Sequence, residues 1–204
     1  MDGYNLSKSV AILVSILVFC TNMNYSTCST STNTYNTPKT TQFIKTSCNA
    51  TEYPKLCFKS LSSYSSKIKT NYRKLVYTAL SLSLTSAKNT STVVSKLSKQ
   101  SNLTKNELAA VKDCVENVRD SVDEIRQSLK ELKNLNATEF DYKMSNIMTW
   151  VSAALSDDDS CLDGLDEKFV NLKTKKIIRG KIVVVWQMTS NALALVNSLD
   201  EKRL

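Results

Sequence analysis

NELAAVKDCVENVRDSVDEIRQSLKEL, residues 106 to 132, is the stretch that decides the fold. Its apolar residues recur at alternating spacings of three and four positions over more than three heptads. They are Leu108, Val111, Val115, Val118, Val122, Ile125, Leu129 and Leu132. This recurrence is typical of a helix that buries one stripe in a bundle. Thr104 and Glu107 have the spacing of a capping box, so we expect the helix to begin there.

Three further segments carry apolar stripes with helical spacing. They lie in residues 70 to 98, in residues 140 to 155 and in the last segment, which ends its stripe at Leu199. The β-branched run KIVVVWQM in the last segment would suit a strand, but apolar residues recur every seven positions on both sides of it, which favours helix. Gly180 costs about 1 kcal/mol relative to alanine inside a helix, so we expect the last helix to begin after it.

Turn-forming residues are scarce, because the 204 residues include only three glycines and two prolines. This scarcity argues against an all-β fold and for long helices joined by short links. We therefore predict an all-α fold, an antiparallel up-and-down four-helix bundle over residues 69–199. Residues 42–66 contain Pro54 and two cysteines, and they are predicted to form a broken helical hairpin before the bundle.

Residues 1–27 have the pattern of a signal peptide. The apolar run SVAILVSILVFC has the length of a secretory h-region, and it is shorter than the roughly 20 residues that span a bilayer. A retained transmembrane helix is therefore the weaker interpretation. The Ser/Thr-rich residues 28–41 predict a flexible N-terminal segment. We expect a secreted protein that enters an oxidising compartment and has no membrane contact after signal cleavage.

Four cysteines in the body of the chain are expected to form disulfides: Cys48, Cys57, Cys114 and Cys161. Four cysteines allow three pairings, and sequence alone does not choose among them. Cys48 and Cys57 are close enough to staple a local turn, whereas Cys114 and Cys161 would close a long loop. A zinc site is the alternative, but the spacings do not fit and the chain has no histidine.

Secretion also gives weight to the N-glycosylation sequons. A glycosylated asparagine must face solvent, so each sequon predicts an exposed position. The sequons begin at Asn49, Asn89, Asn102 and Asn136, and at Asn24 if that residue survives signal cleavage.

The charge of the chain is segregated along the sequence. No acid occurs between Glu52 and Glu107, a stretch with ten lysines and arginines, whereas residues 107 to 167 hold fifteen acids and six bases. In a secreted chain a basic surface is suited to an acidic polysaccharide rather than to nucleic acid. A solvated surface with no particular partner is the alternative.

The sequence contains no recognisable motif for catalysis or metal binding. Without histidine the usual general base of hydrolases is missing, and no nucleotide-binding or nucleophile-elbow motif occurs. The aspartate run Asp157–Asp159 does not fit an EF-hand loop, because Cys161 and Lys168 stand at ligand positions. We interpret the run as the polar exit of the helix over residues 140 to 155, and we expect a protein that is not an enzyme and has no cofactor.

One row of acids stands out on the helix over residues 106 to 132. Glu116, Asp120 and Asp123 form a line along the helix that points roughly 145° away from the apolar stripe. The row is therefore predicted to be exposed. A purely structural interpretation is that the row is the polar outer face of a bundle helix. A functional interpretation is that it is a rigid line of carboxylates available to a basic partner.

Four segments resemble the plant inhibitors of pectin methylesterase and of invertase. FIKTSCNATEYPKLCFKSL is similar to the opening of that family, and DCVENVRDSVDEIRQSL to its third-cysteine helix. TWVSAALSDDDSCLDGL is similar to its fourth-cysteine segment, and TSNALALV to its C-terminal helix. The resemblance implies the pairings Cys48–Cys57 and Cys114–Cys161, with residues 42–200 as the inhibitor domain. It also implies secretion to the plant cell wall and a 1:1 complex that covers the substrate cleft of a carbohydrate-active enzyme.

Within that family the resemblance favours pectin methylesterase as the target. Invertase inhibitors often carry Pro-Lys-Phe between the second and third bundle helices, whereas this chain has KNLNATEFDYK there. An inhibitor-like pro-region of an esterase is disfavoured, because no catalytic domain follows residue 204. The resemblance assigns partner contacts by position to Glu116, Asp120, Asp123 and Asp163. The remaining alternatives are an invertase inhibitor and a non-inhibitory, polysaccharide-binding helical protein.

Overall fold

The computed structural model describes residues 38–167 and 170–202, and the secondary structure assigned within these ranges is entirely helical. The all-α fold class is confirmed. Three short helices come first: α1 (Lys39–Cys48), α2 (Pro54–Ser62) and α3 (Ser65–Ile68). Four long helices follow: α4 (Tyr72–Leu97), α5 (Lys105–Lys133), α6 (Phe140–Glu167) and α7 (Leu172–Lys202). The predicted signal peptide, residues 28–37 of the predicted flexible segment and the sequon at Asn24 lie outside the described residues, whereas residues 39–41 of that segment belong to α1.

The four long helices pack in a ring in which each contacts two neighbours: α4 and α6 both contact α5 and α7. Cross-contacts give their directions. Arg73 at the start of α4 donates to Leu132 at the end of α5, with Nη2 2.7 Å from the carbonyl oxygen. A disulfide joins Cys114 of α5 to Cys161 near the end of α6. These two contacts show that α5 runs antiparallel to both α4 and α6.

The start of α5 shows how local sequence fixes a helix end. The Thr104 hydroxyl accepts a hydrogen bond from the Glu107 N–H at 3.3 Å, and Glu107 Oε2 accepts one from the Thr104 N–H at 2.8 Å. The predicted capping box is confirmed. Glu107 Oε1 also accepts hydrogen bonds from the backbone and side-chain N–H groups of Asn171, at 2.8 and 2.6 Å. One carboxylate thus fastens the start of α5 to the residue that precedes α7, and these hydrogen bonds lower its pKa to about 2.

The prediction that the last helix begins after Gly180 is wrong. The helix α7 starts at Leu172 and passes through Gly180 without a break, so the predicted helical state of KIVVVWQM is confirmed. Gly180 is exposed, whereas Ile178, Ile182 and Val185 around it are fully buried. Burial of each such side chain stabilises by about 1.5–3 kcal/mol, which outweighs the cost of about 1 kcal/mol for one glycine.

The interpretation of Asp157–Asp159 as a polar helix exit is also wrong. The helix α6 continues to Glu167, so these aspartates lie inside it. Asp158 is completely buried. The helix continues because its buried stripe continues beyond Ala154, at Asp158, Cys161 and Leu165.

The N-terminal helices form a cap on one part of the bundle. A disulfide joins Cys48 at the end of α1 to Cys57 in α2, with 5.6 Å between the Cα atoms. The link between them is held on α7, because Asn191 Oδ1 accepts from the Tyr53 N–H at 2.9 Å and Asn191 Nδ2 donates to the Tyr53 carbonyl at 3.1 Å. The Tyr53 ring also meets Trp186 edge to face, with 5.9 Å between the centroids.

The helix α7 is long and apolar enough to cross a membrane, judged by length and composition alone. In the structure its apolar character is explained by burial in the bundle. Ten of its residues are buried, among them Ile182, Leu195 and Leu199, and these pack in the bundle core. Its hydrophobicity is that of a core helix.

Candidate partner-binding surface

The acid row of α5 lies on the outside of the bundle. Glu116, Asp120 and Asp123 are all exposed, on the side of α5 opposite its buried stripe. The Asp123 carboxylate forms an ion pair with Arg126, one turn further along the helix. Beside the row, a shallow groove of about 330 Å³ runs between α4 and α5 and includes Lys88, Arg119 and Asp123 in its wall. The surface is thus a carboxylate line bordered by cations, which suits a partner with charges of both signs.

Asp163 lies on α6 and is exposed, but it is not part of this row. The helices α5 and α6 run antiparallel and are joined at Cys114 and Cys161, so Asp163 lies level with the turn that precedes Cys114. At a rise of 1.5 Å per residue, Asp123 is roughly 16 Å further along the bundle axis. The structure brings three of the four proposed contact residues together and leaves the fourth apart.

One of the two disulfides fixes the helix that carries this surface. Cys114 and Cys161 are buried, and their Cα atoms are 4.5 Å apart. Cys48 and Cys57 are buried as well. The pairings in the structure are those that the family resemblance implied. The Cys114–Cys161 bridge fixes α5, the helix of the acid row, against α6.

At the α5–α6 interface lies a group of acids that the sequence reasoning missed. We call Glu124, Asp157 and Asp158 the buried acid group. One oxygen of Glu124, one of Asp157 and both of Asp158 have no solvent contact, and none of these atoms has a hydrogen-bond partner of normal geometry in the described part of the chain. The sequence signal was the seven-residue recurrence of α6, because Asp158 falls on the stripe that contains Val151 and Leu165.

Burial favours the protonated form of these carboxyls. Desolvation raises the pKa of Asp158 to about 8, with the nearby Asp157, Asp159 and Glu124 adding to the rise and Ser121 opposing it. Desolvation also raises the pKa of Glu124 to about 8, helped by its hydrogen-bonding interaction with Asp157. The pKa of Asp157 is raised as well, first by burial. The titration of Glu124 therefore depends on Asp157 across the α5–α6 interface.

The described residues contain no group of three or more metal-ligating side chains that could hold a cation. The aspartate run in particular does not converge, since Asp157 faces Glu124, Asp158 is buried and Asp159 is exposed. The four sequon asparagines of the described chain, Asn49, Asn89, Asn102 and Asn136, are all exposed. Each can be reached by a modifying enzyme from solvent.

Fold and surface together define a class of protein: a disulfide-fixed helical bundle whose charged helix face is available to a partner. The family model described as "Plant invertase/pectin methylesterase inhibitor" matches residues 42–195, and the chain belongs to that family. The chain is therefore a member of a non-catalytic inhibitor family and not an enzyme.

The similar proteins agree with this membership. The chain is 44% identical over 176 residues to pectinesterase inhibitor 9 of Arabidopsis thaliana, covering 83% of this chain and 86% of that one. It is 42% identical over 193 residues to pectinesterase inhibitor 4 of the same plant, covering 93% and 96%. The crystal structure of mutant form A of a pectin methylesterase inhibitor from Arabidopsis matches with a TM-score of 0.61, at 19% identity, over 76% of this chain and 95% of that one. At that identity the structural match shows the shared fold.

Proposed function

We propose that this chain is a secreted inhibitor of pectin methylesterase that forms a 1:1 complex and covers the pectin-binding cleft of the enzyme. The observation that carries the proposal is the 44% identity, over most of both chains, to a protein named as a pectinesterase inhibitor. By regulating the esterase, the inhibitor would control the methyl-esterification of cell-wall pectin.

The exposed surface of α5 supports a role as an inhibitor contact. The row Glu116, Asp120 and Asp123 lies on one helix, and that helix is fixed at its start by the Glu107 contacts and at Cys114 by the bridge to Cys161. A preformed surface loses little conformational entropy on binding, which favours affinity. The adjacent groove contains the cations Lys88 and Arg119. Their charges, opposite in sign to those of the row, would help to align the partner on this surface.

The proposal is tested by titrating the purified, oxidised chain into a plant pectin methylesterase while methanol release is followed. We expect inhibition that saturates at one inhibitor per enzyme. Absence of inhibition at micromolar chain, between mildly acidic and neutral pH, would contradict the proposal. The same chain is titrated into cell-wall and vacuolar invertases in parallel, because the family model includes invertase inhibitors. Inhibition of an invertase alone would favour that alternative.

Secretion and glycosylation form part of the proposal. The apolar run of residues 9–20 would direct export to the apoplast, and the exposed sequon asparagines would accept glycans there. Expression in plant cells, followed by sequencing of the mature N-terminus and glycosidase treatment, measures both. A chain that stays inside the cell, or that keeps its first residues, would contradict this part.

A further inference from the structure

A second surface, away from the acid row, has the features of a ligand site. A groove with a volume of about 500 Å³ opens where the link after α2 meets the first turns of α4 and the last turn of α5. Small-ligand sites typically have volumes of about 300–1,000 Å³. The side chains that give the groove its chemistry are Tyr64, Lys67, Arg73, Lys74, Tyr77 and Lys133.

The groove carries four positive charges and its wall has no carboxylate. In the described part of the chain, none of its cations takes part in a salt bridge with an acid, and Lys67, Lys74 and Lys133 are exposed. These cations come from both sides of the groove: Lys67 and Lys74 from the α3–α4 side, and Lys133 from the end of α5. A ligand with several negative charges would therefore be held from two directions.

Arg73 holds the C-terminal end of α5, which forms one wall of the groove, in place. Its Nε and Nη2 donate to the Leu132 carbonyl at 3.1 and 2.7 Å, and Nη2 also donates to the Lys133 carbonyl at 3.0 Å. These carbonyls are the negative end of the α5 dipole, so the guanidinium offsets a partial charge that would repel an anion. The groove is therefore positively charged, and hydrogen bonds from Arg73 hold together the two helix ends that form it.

Aromatic rings distinguish this groove from a general basic patch. Tyr77 is 43% exposed, one of the few large hydrophobic side chains that the described chain leaves open to solvent. The Tyr64 ring lies beneath Lys67, with Nζ 5.6 Å from the ring centroid. A tyrosine offers a flat apolar face with a polar end, which matches a sugar ring with its C–H face and hydroxyl edge. An acidic peptide has the charges but lacks the flat face.

We propose that this groove binds a chain of uronic acid sugars, whose carboxylates pair with Lys67, Lys74 and Lys133 while a sugar ring stacks on Tyr77. Hydrolysis of pectin methyl esters leaves carboxylates of this kind on the polymer. The groove would thus hold the protein on stretches of pectin from which the ester has already been removed. This binding is independent of enzyme inhibition and of the residues assigned to it.

The test measures binding of a de-esterified oligogalacturonate of about ten sugars by calorimetry at low ionic strength. The groove variant K67Q/K74Q/K133Q should bind it at least about tenfold more weakly. The matched control K55Q/K96Q/K99Q removes three exposed lysines of the same acid-free stretch that lie outside the groove, and it should stay within about twofold of the wild type. Equal losses in both variants would overturn the proposal, because binding would then follow total charge. No binding by the wild type would overturn it directly.

The Tyr77→Ala variant separates a sugar from an acidic protein partner. It should weaken oligogalacturonate binding by about fivefold and leave the binding of polyglutamate, a probe with charge but no sugar ring, unchanged. Equal binding of both probes, insensitive to Tyr77→Ala, would overturn the assignment in favour of an acidic protein.

The methylesterase assay distinguishes this proposal from the proposed function. The groove variant should inhibit the enzyme as the wild type does. Loss of inhibition would make the groove an enzyme contact and overturn the assignment as a sugar site. Binding of oligogalacturonate by a chain that inhibits no esterase would contradict the proposed function and support the groove.

Discussion

At position 158 the stripe that α6 buries contains an aspartate instead of an apolar residue. A buried ionised carboxylate without partners is very costly, so the residue remains neutral and its pKa rises to about 8. In the unfolded chain the same carboxyl titrates at its ordinary value near 4. The folded state thus binds the proton more tightly. The stabilisation from this site is complete below about pH 4 and is lost as the pH rises through about 8.

The Asp158→Asn variant tests this linkage. We expect Asp158 alone to cost the wild type roughly 2–3 kcal/mol of unfolding free energy between pH 5 and pH 7, and the Glu124–Asp157 pair to add to this loss. Asparagine has nearly the same shape and no charge, so the variant should lose clearly less over that interval. Urea unfolding at the two pH values gives both numbers.

The control for that experiment is Asp159→Asn, at the exposed neighbouring position. It changes the same formal charge without removing a buried carboxyl, so its pH dependence should follow the wild type. If Asp158→Asn and the wild type lose the same free energy, the buried carboxyl does not titrate with the raised pKa.

At the scale of helices, the sequence was informative where one pattern dominated. The stripe of α5 and its capping box were predictable because spacing and end signal agreed. The course of α6 and α7 was not predictable, because a residue of low helix propensity or high polarity resembles a helix boundary in the sequence. Gly180 and Asp158 are both tolerated inside helices since the flanking stripe is buried, and that burial depends on neighbours absent from a one-dimensional pattern. The groove that contains Tyr77 could not be predicted for the same reason, since three separate elements form it.

The turn between α3 and α4 carries backbone strain that a substitution should relieve. Lys69 has φ 54° and ψ −125°, and the Asn71 N–H donates to the Ile68 carbonyl at 3.2 Å. These values describe a type II′ turn with Lys69 at its first central position, where glycine is strongly preferred. We expect Lys69→Gly to stabilise the protein by about 1 kcal/mol, which thermal unfolding would show as a higher midpoint.

Thr70→Gly provides the comparison for Lys69→Gly. Thr70 follows Lys69 in the same turn, and Lys69 is the one non-glycine residue of the described chain with positive φ. Glycine at position 70 gains no relief from strain and adds freedom to the unfolded chain, so the midpoint should fall. A fall in both variants would mean that the Lys69 backbone is not strained.

For the molecule as a whole, the two charged faces imply separable functions. One cluster of basic residues lies around the N-terminal end of α4, and a row of exposed acids lies along α5. Both disulfides lie in the core rather than at either surface. A change of surface charge on one face should therefore alter one interaction and leave the fold and the other interaction intact.

The acid row is tested on this principle by the triple variant E116Q/D120N/D123N. The three side chains are exposed, so the thermal midpoint should not fall. If the enzyme desolvates the row, loss of its charges should cost at least about 2 kcal/mol, or about thirtyfold in the inhibition constant. Contacts at a hydrated rim would cost less than about 1 kcal/mol each.

The matched variant D141N/D200N/E201Q removes three acids from other parts of the bundle and should inhibit normally. Equal weakening by both triple variants would point to long-range attraction by net charge, which added salt would abolish. Unchanged inhibition by the acid-row variant would remove this face of α5 from the interface. The exposed Asp163 of α6, roughly 16 Å from Asp123 along the bundle axis, would then be the next contact to neutralise.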